Sequence, residues 1–463
     1  MTRLVLSFLI LPCLVLTENT KGGESGDRHS EKKQLYDLHC RRAGGGVDRI
    51  EAVLEAEGTL KIASQVASEK SPSSTVKMAA RAGLIYFEKT LESPASSAPF
   101  RGSIRYYEKA QASIQVGDES FQPSLRDQRR LIGVELRETR PFLYSPSGPL
   151  NREELDLLDV HGNSILLDGL LPPERVAVGD HWKHADDLLA ALLGLDSITN
   201  TDAQSVLHSI QDEAALMELF GQVKGTIHGR ATQLQVKAKY RFDMKAGRIT
   251  WFALLVREDR EASPIGPGLD VVARLQMKIT PDAASTHLSD SALKNVSLGA
   301  TAELERLTYT SPDGAWQAMM DRRWVLISET KELIVFRMVD AGKYVAQCSV
   351  SALSPTPPKA VSLGEFQDEI RQALGKNFRR FVRAGQSTSE SRQQVFRVEA
   401  QGDASGVPMD WIYYRIADPS GRGLVVLFAL ESSLADRFQE SDRDLVQTIR
   451  FAEAKNARRN AAN

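Results

Sequence analysis

The sequence predicts an α+β protein of two domains. The first is expected to be a curved antiparallel β-sheet domain with few helices. The second, smaller domain is expected to combine an antiparallel sheet with flanking helices. Three observations support this class: strict strand alternation dominates the first part of the chain, helical periodicity is clearest near the end, and a stretch without aromatic residues separates the two parts.

Composition places the boundaries between these parts. The chain has 463 residues, which suggests two or three domains with room for substantial cores. We predict a signal peptide at 1–17, a disordered segment at 18–34, a β-rich domain at 35–280, a linker at 281–306, the α+β domain at 307–452 and a tail at 453–463.

The first 17 residues have the pattern of an export signal. Arg3 supplies a positive charge, and the apolar run from Leu4 to Leu16 is too short to span a bilayer. No later apolar stretch is long enough to span one either. We therefore predict a protein exported to the periplasm or cell envelope, soluble and without a transmembrane span after removal of the leader.

The clearest strand pattern of the first domain is a hairpin. Apolar and polar residues alternate without exception from Leu234 to Met244, which is typical of a half-buried strand. Residues 245–248 form a turn, and the chain returns with Ile249 to Val256, which are mostly apolar on both faces. We expect other elements of the protein to pack against each side of the return strand. A curved sheet clasping one or two helices would provide this, and residues 152–160 and 188–193 carry helical signals.

Three aromatic residues of this hairpin form the candidate binding site. Simple hairpin register pairs Phe242 with Trp251 and Tyr240 with Ala253, which puts Tyr240, Phe242 and Trp251 on one surface. They could line a groove for an apolar ligand. The alternative, that the three rings only fill the core, stays open because aromatic stripes usually pack inside proteins.

The second domain shows hairpin and helix patterns in turn. Runs at 333–339 and 344–353 predict two strands around a turn. A helix is expected from Leu363 onward, and a final helix at about 435–448. The first of these helices would carry one apolar face, formed by Phe366, Ile370, Leu374, Phe378 and Phe381.

Two resemblances follow from these patterns. The second domain resembles the PsbP-like fold in its Asp321-Arg322-Arg323-Trp324 stretch, its Leu363–Phe381 segment and its Phe428-Ala429-Leu430-Glu431 strand. That resemblance implies an antiparallel sheet with flanking helices, used mostly for protein binding. The chain is also similar to uncharacterised secreted proteins of planctomycete-type bacteria, through stretches such as 151–158 and 411–414. Neither resemblance supplies catalytic residues.

Charge and motifs exclude several function classes. A formal charge of -2 argues against a nucleic-acid partner. His181 and His184 are the best local metal candidates, but no HExxH motif or third ligand accompanies them. The S-x-x-K match at Ser328–Lys331 lacks its supporting motifs. We therefore assign no catalytic residue, no metal site and no cofactor.

The cysteine count predicts free thiols. Loss of the leader would remove Cys13 and leave Cys40 and Cys348. Cys348 alternates with apolar neighbours and is expected to be a buried, inert thiol. A bond between Cys40 and Cys348 is the less favoured alternative.

These observations leave three hypotheses for function. The first is an exported, non-enzymatic binding protein that holds an apolar small molecule on Tyr240, Phe242 and Trp251. The second is a cell-envelope module that binds or assembles with a protein partner. The third is a hydrolase whose site is dispersed in sequence, for example His161 and Asp168 with a distant serine. We favour the first.

Overall fold

The computed structural model describes residues 34–41, 45–62, 74–92, 101–227, 230–262, 267–340, 343–353, 361–389 and 391–452. The predicted signal peptide at 1–17, the predicted tail at 453–463 and nearly all of the predicted disordered segment lie outside these residues.

The predicted α+β class is wrong, because the protein is β-rich. Strand makes up 57% of the described residues and helix 16%, and the strands form antiparallel sheets. The longest α-helix in the described part of the chain has only 12 residues, Leu363–Leu374. Gly375 follows it with a positive φ of 51°, and the predicted helical positions Phe378 and Phe381 instead lie in a strand, Phe378–Thr388. Glycine adopts a positive φ without a steric penalty, which allows the chain to change direction here.

The chain divides into two compact units. Of the described residues, the larger unit contains those within 34–148 and 153–300, and the smaller unit contains those within 149–152 and 301–452. In the described part of the chain, no helix has both the length and the apolar character that a membrane crossing requires.

One antiparallel sheet of 13 strands dominates the larger unit. Strands are numbered in chain order, and β7 (Leu150–Asn151) belongs to the smaller unit. The other strands are β1 (Val47–Ile62), β2 (Ser74–Glu92), β3 (Arg101–Val116), β4 (Glu119–Phe121), β5 (Leu131–Arg137), β6 (Arg140–Tyr144), β8 (His181–Lys183), β9 (Ser197–Thr201), β10 (Gln204–Gln211), β11 (Ala214–Ile227), β12 (Arg230–Asp243), β13 (Arg248–Arg260) and β14 (Gly268–Thr280). Their main order is β6-β5-β3-β2-β1-β14-β13-β12-β11-β10-β8, with β4 paired to β3 and β9 to β11.

Helical structure in the larger unit comes in short pieces. The α-helices of its described residues are α1 (Arg152–Leu158, of which Arg152 belongs to the smaller unit), α2 (Asp186–Leu193) and α3 (Asp290–Leu293). Three 3-10 turns add Asp127–Arg129, Ser164–Leu170 and Thr286–Leu288. Apolar side chains of α1, α2 and the Ser164–Leu170 turn are buried, although the segments are too short to be stable alone.

The two faces of the large sheet differ sharply. Along β12, every second residue from Arg230 to Phe242 is buried and the residues between them are exposed, which is the alternation that the sequence predicts. We call the surface formed by these buried side chains, together with those of neighbouring strands, the covered face. The surface with the exposed side chains is the open face.

The described residues of the smaller unit form two sheets. Its strands are β7, β15 (Leu307–Thr310), β16 (Trp316–Met320), β17 (Trp324–Glu329), β18 (Leu333–Asp340), β19 (Lys343–Ala352), β20 (Phe378–Thr388), β21 (Gln394–Ala404), β22 (Val407–Ala417), β23 (Gly423–Glu431) and β24 (Arg450–Phe451). The orders are β24-β16-β15-β7 and β17-β18-β19-β23-β22-β21-β20. The predicted hairpin at 333–353 is confirmed by the antiparallel pairing of β18 with β19.

Within its described residues, the smaller unit also has three α-helices. They are α4 (Leu363–Leu374), α5 (Ala435–Phe438) and α6 (Ser441–Val446), with 3-10 turns at Gly375–Asn377 and Ser432–Leu434. The predicted single helix at about 435–448 is wrong, since Gln439 has a positive φ of 53° between α5 and α6. Phe366 and Ile370 of α4 pack with Phe396, Val398 and Ala400 of β21.

Candidate functional site

The three predicted site residues do not share one surface. Tyr240 and Phe242 lie on the covered face and are fully buried. Trp251 is half-buried and lies on the open face, opposite Arg241. The predicted pairing of Phe242 with Trp251 is wrong, because the register shifts between Arg241 and Phe242, so that Phe242 pairs with Ile249. Such a β-bulge inserts one extra residue and changes the face that the following side chains occupy.

A segment that we call the cover, residues 153–195, packs on the covered face. It contains most of α1, the Ser164–Leu170 turn, β8 and α2. At Gly162 of the cover, an added Cβ would lie 2.5 Å from Leu275 Cδ2 and 3.1 Å from Phe252 Cε1. The backbone of the cover therefore reaches the sheet directly. The cover is rich in buried leucines that are at most 6% exposed: Leu155, Leu157, Leu158, Leu166, Leu167, Leu170, Leu189, Leu192, Leu193 and Leu195.

Tyr240 connects the covered face to the cover. Its hydroxyl lies 2.8 Å from Ser205 Oγ and 3.1 Å from the carbonyl oxygen of Leu170, and its single proton can be donated to either acceptor. Burial raises the pKa of Tyr240, so the phenol stays protonated and keeps its hydrogen bond. A buried tyrosine with a satisfied hydroxyl offers an apolar ring to any neighbour on the covered face.

A first buried polar cluster lies where β2 and β3 meet the cover. Glu88 and Arg105 are directly opposite each other, and both side chains are at most 2% exposed. Arg105 Nε donates to Glu88 Oε1 at 2.6 Å, and another nitrogen of its guanidinium donates to Asn163 Oδ1 at 2.5 Å. Burial opposes the charge on Arg105, but the Glu88 carboxylate outweighs it, so the pKa of Arg105 is raised. The ion pair thus survives burial and holds the cover through Asn163.

Ser164 extends this cluster. Its hydroxyl donates to Glu88 Oε2 at 2.7 Å and lies 2.9 Å from the hydroxyl of Tyr86. Asn163 and Ser164 begin the 3-10 turn of the cover, so the polar contacts fix its position along the sheet. Buried polar networks of this kind specify one arrangement, because any other arrangement leaves polar groups without partners.

A second buried polar cluster lies at the C-terminal end of β13. Thr232 Oγ1 donates to Glu258 Oε1 at 2.8 Å, and Arg260 Nε lies 3.2 Å from the same oxygen. Burial lowers the pKa of Arg260 to about 10. Burial also lowers the pKa of His161 in the cover, although Glu258 partly opposes that shift. His161 is therefore uncharged near neutral pH, which suits an otherwise apolar contact.

A serine and a histidine come together beside Tyr240, and no local pattern in the sequence indicates this pair. His184 Nε2 lies 2.8 Å from Ser205 Oγ. Burial lowers the pKa of His184 to about 4, which makes it a weak base, and Ser205 is fully buried. Nucleophilic catalysis needs a serine that substrate can reach and a base poised near neutrality. We interpret the pair as a structural link between β10 and the cover.

The other residues of the hydrolase hypothesis have different surroundings. Asp168 Oδ2 accepts a hydrogen bond of 3.2 Å from Cys40 Sγ, and His161 lies near Glu258 and Arg260. Cys40 and Cys348 are both free thiols, and burial raises the pKa of Cys348. Among the described residues, no group of three or more His, Cys, Asp or Glu side chains is arranged to hold a metal ion.

The lowered pKa of His184 predicts a pH dependence of stability. Between pH 6.5 and about 4, the unfolded chain binds a proton at this histidine that the folded chain does not bind. The folded state should therefore lose free energy of unfolding as the pH falls through this window. Denaturant titrations across this pH range should show a smaller loss of free energy of unfolding for His184→Gln than for wild type. The same substitution at exposed His208 should leave the change in free energy of unfolding with pH as it is in wild type. An equal change in all three proteins would contradict this role of His184.

Comparison with known proteins assigns the chain to no family. No family model matches it, and no curated protein matches it. Among solved structures, cyanobacterial PsbP (CyanoP) from Synechocystis sp. PCC 6803 is 11% identical and covers 34% of this chain and 99% of its own, with a TM-score of 0.26. A protein from Bacteroides thetaiotaomicron VPI-5482 is 8% identical over 32% of this chain, with a TM-score of 0.24. The chain spans 49% of that protein's length.

A protein of unknown function from Pseudomonas aeruginosa gives a similar result. It is 10% identical and covers 31% of this chain and 95% of its own, with a TM-score of 0.22. The structural likeness to PsbP is thus weak and limited to about a third of the chain. These likenesses carry no argument about function.

Proposed function

We propose that this protein is an exported, non-enzymatic binding protein that holds an apolar molecule between the covered face and the cover. One observation carries the proposal: apart from β8, which pairs with β10 at the edge of the sheet, the segment that covers the apolar face consists of short helices and turns and not of a second sheet. These helices and turns can be displaced more readily than a hydrogen-bonded layer, because leucine contacts are non-directional.

The chemistry of the contact favours an acyl chain or another molecule of similar apolar area. Each leucine side chain that leaves the covered face loses about 1.5–3 kcal/mol of free energy from its burial. A ligand that occupies the same place buries an equivalent apolar area on the sheet. Tyr240, Phe242 and Phe252 would form the floor of the site. Trp251 would not contact this ligand, because it lies on the open face.

The Glu88–Arg105 cluster gives the cover one defined closed position, because it binds the side chains of Asn163 and Ser164. The Thr232–Glu258–Arg260 cluster lies within the sheet and influences the cover only through the charges near His161. We propose that ligand enters between the leucines of the cover and the covered face while the Glu88–Arg105 pair keeps the cover attached.

Titration of delipidated protein with a dansyl-labelled fatty acid tests the proposed function. We expect saturable binding of about one molecule per chain, reversed by unlabelled oleate. Phe242→Leu should weaken binding several-fold because it reshapes the floor, whereas Trp251→Phe on the open face should leave it unchanged. Binding that does not saturate, or that responds equally to both substitutions, would contradict the proposal.

A second candidate function concerns the smaller unit, which we propose binds a partner chain along β20. This strand ends the seven-stranded sheet and pairs with β21 on one side, and residues Val382–Thr388 are exposed. Edge strands present unpaired backbone groups to which another strand can add. Arg379, Arg380 and Arg383 are also exposed, which favours an acidic partner segment.

Photo-crosslinking in envelope fractions tests the second candidate. A photoreactive residue at exposed Gln386 should crosslink to one partner, and Arg383→Glu should reduce the yield. A photoreactive residue at exposed Glu369 on α4 serves as the matched control and should give no such product. Equal crosslinking from both positions would count against an interface at β20.

Export rests on residues 1–17, and we propose it from their pattern alone. N-terminal sequencing of the protein from fractionated cells of its source tests it. A mature chain in the envelope fraction that begins after Thr17 would support export, and an intact leader in the cytosolic fraction would contradict it.

A further inference from the structure

The open face carries a second feature, centred on Trp251. Trp251 lies on β13 directly opposite Arg241 of β12 on one side and Lys278 of β14 on the other. Two residues further along β13, Ala253 lies opposite Lys239. We call these five residues the tryptophan patch. Neighbouring strands are about 4.8 Å apart, so the patch extends over about 10 Å of the sheet surface across the strands.

The three cations of the patch are available to a ligand. Lys239, Arg241 and Lys278 are exposed, and within the described part of the chain none of them forms an ion pair. Two carboxylates flank the patch: Glu218 of β11 is opposite Lys239, and Glu51 of β1 is opposite Lys278. Each forms its ion pair with a cation outside the patch, Glu218 with Lys237 at 3.2 Å and Glu51 with Arg49 at 2.5 Å. The charges of the three patch cations therefore stay available at the surface.

Trp251 differs from the other tryptophans of the chain. Trp182, Trp316, Trp324 and Trp411 are at most 8% exposed, whereas Trp251 is half-buried and reaches the surface. An indole ring has an apolar body and a polar N–H group, so it is stable at the boundary between hydrocarbon and water. Cations beside such a ring are positioned for negatively charged headgroups.

We propose that the tryptophan patch docks the larger unit onto an anionic lipid bilayer. Two features favour a bilayer over an acidic peptide. The cations are spread over two strands on either side of the ring, and β12, β13 and β14 are consecutive inner strands of the sheet, so no free edge is available for strand addition. The proposal does not depend on the ligand proposed for the covered face.

Vesicle co-sedimentation tests the docking. Wild-type protein should bind vesicles of phosphatidylglycerol and phosphatidylcholine, should bind pure phosphatidylcholine much more weakly, and should dissociate as salt is raised. Lys239→Glu combined with Arg241→Glu should lower the partition coefficient by about tenfold or more. The matched control, Lys77→Glu with Lys109→Glu, makes the same charge change at exposed positions of β2 and β3 and should have little effect.

Quenching by brominated lipids gives an independent readout of the ring itself. Vesicles with brominated acyl chains should quench the fluorescence of wild-type protein, and Trp251→Phe should abolish most of this quenching while the fold is retained. Three outcomes would overturn the proposal: no binding to anionic vesicles, equal loss of binding in both charge-reversal variants, or quenching that persists in Trp251→Phe. Specific capture of an acidic protein without vesicle binding would assign the patch to a protein partner instead.

Discussion

Gly162→Ala is expected to destabilise the larger unit and to loosen the cover. Gly162 has a φ of 73°, and a Cβ there would lie 2.5 Å from Leu275 Cδ2. The left-handed conformation costs about 1 kcal/mol for a non-glycine residue, and overpacking adds about 1–3 kcal/mol. We therefore expect a loss of about 2–4 kcal/mol in the free energy of unfolding, measured by urea titration.

The matched control for this prediction is Gly179→Ala. Gly179 also lies in the cover and has a φ of 88°, but a Cβ there would meet nothing within 4 Å. It should therefore show the cost of the backbone conformation without the collision. If the cover regulates access to the covered face, Gly162→Ala should also bind the dansyl fatty acid faster than the control. Equal stability and equal binding rates in the two variants would show that the contact at Gly162 has no such role.

Arg105→Met is expected to have the largest effect on stability. It leaves the Glu88 carboxylate buried without its cation, and breaking a buried pair in this way costs about 3–5 kcal/mol. Arg81→Met on the neighbouring strand is the control. Its side chain is 71% exposed and lies 3.3 Å from Glu55, so we expect a loss below about 1 kcal/mol. Denaturant titration measures both.

The double variant Glu88→Met with Arg105→Met separates two causes of that loss. If the cost arises mainly from an uncompensated buried charge, removing both charges should restore part of the stability. If the double variant is as unstable as the sum of the two single variants, the pair contributes through packing and through its bonds to Asn163. An Arg105→Met protein as stable as the Arg81→Met control would contradict the described role of the cluster.

Local patterns predicted the individual strands well. The alternation from Leu234 to Met244 predicts the buried and exposed sides of β12, and the apolar runs around residue 340 predict the β18–β19 hairpin. Both predictions depend on the two-residue period of an extended chain. Residues close together in the sequence are enough to reveal that period.

Features that depend on distant residues or on a single extra residue were missed. No residue type in the sequence indicates the β-bulge near Arg241, yet this bulge places Trp251 on the open face. Phe378 and Phe381 have a spacing that fits a helix, but the chain leaves the helix at Gly375 and continues as β20. The pairs Glu88–Arg105 and His184–Ser205 form only once the sheet and the cover are in place.

Native mass spectrometry of protein purified from its own source tests the central claim most directly. The account predicts a mature chain that carries one apolar molecule, lost on unfolding and replaced by oleate after delipidation. A mass equal to that of the chain alone, together with no uptake of oleate by the folded protein, would contradict the claim that the covered face is a binding site.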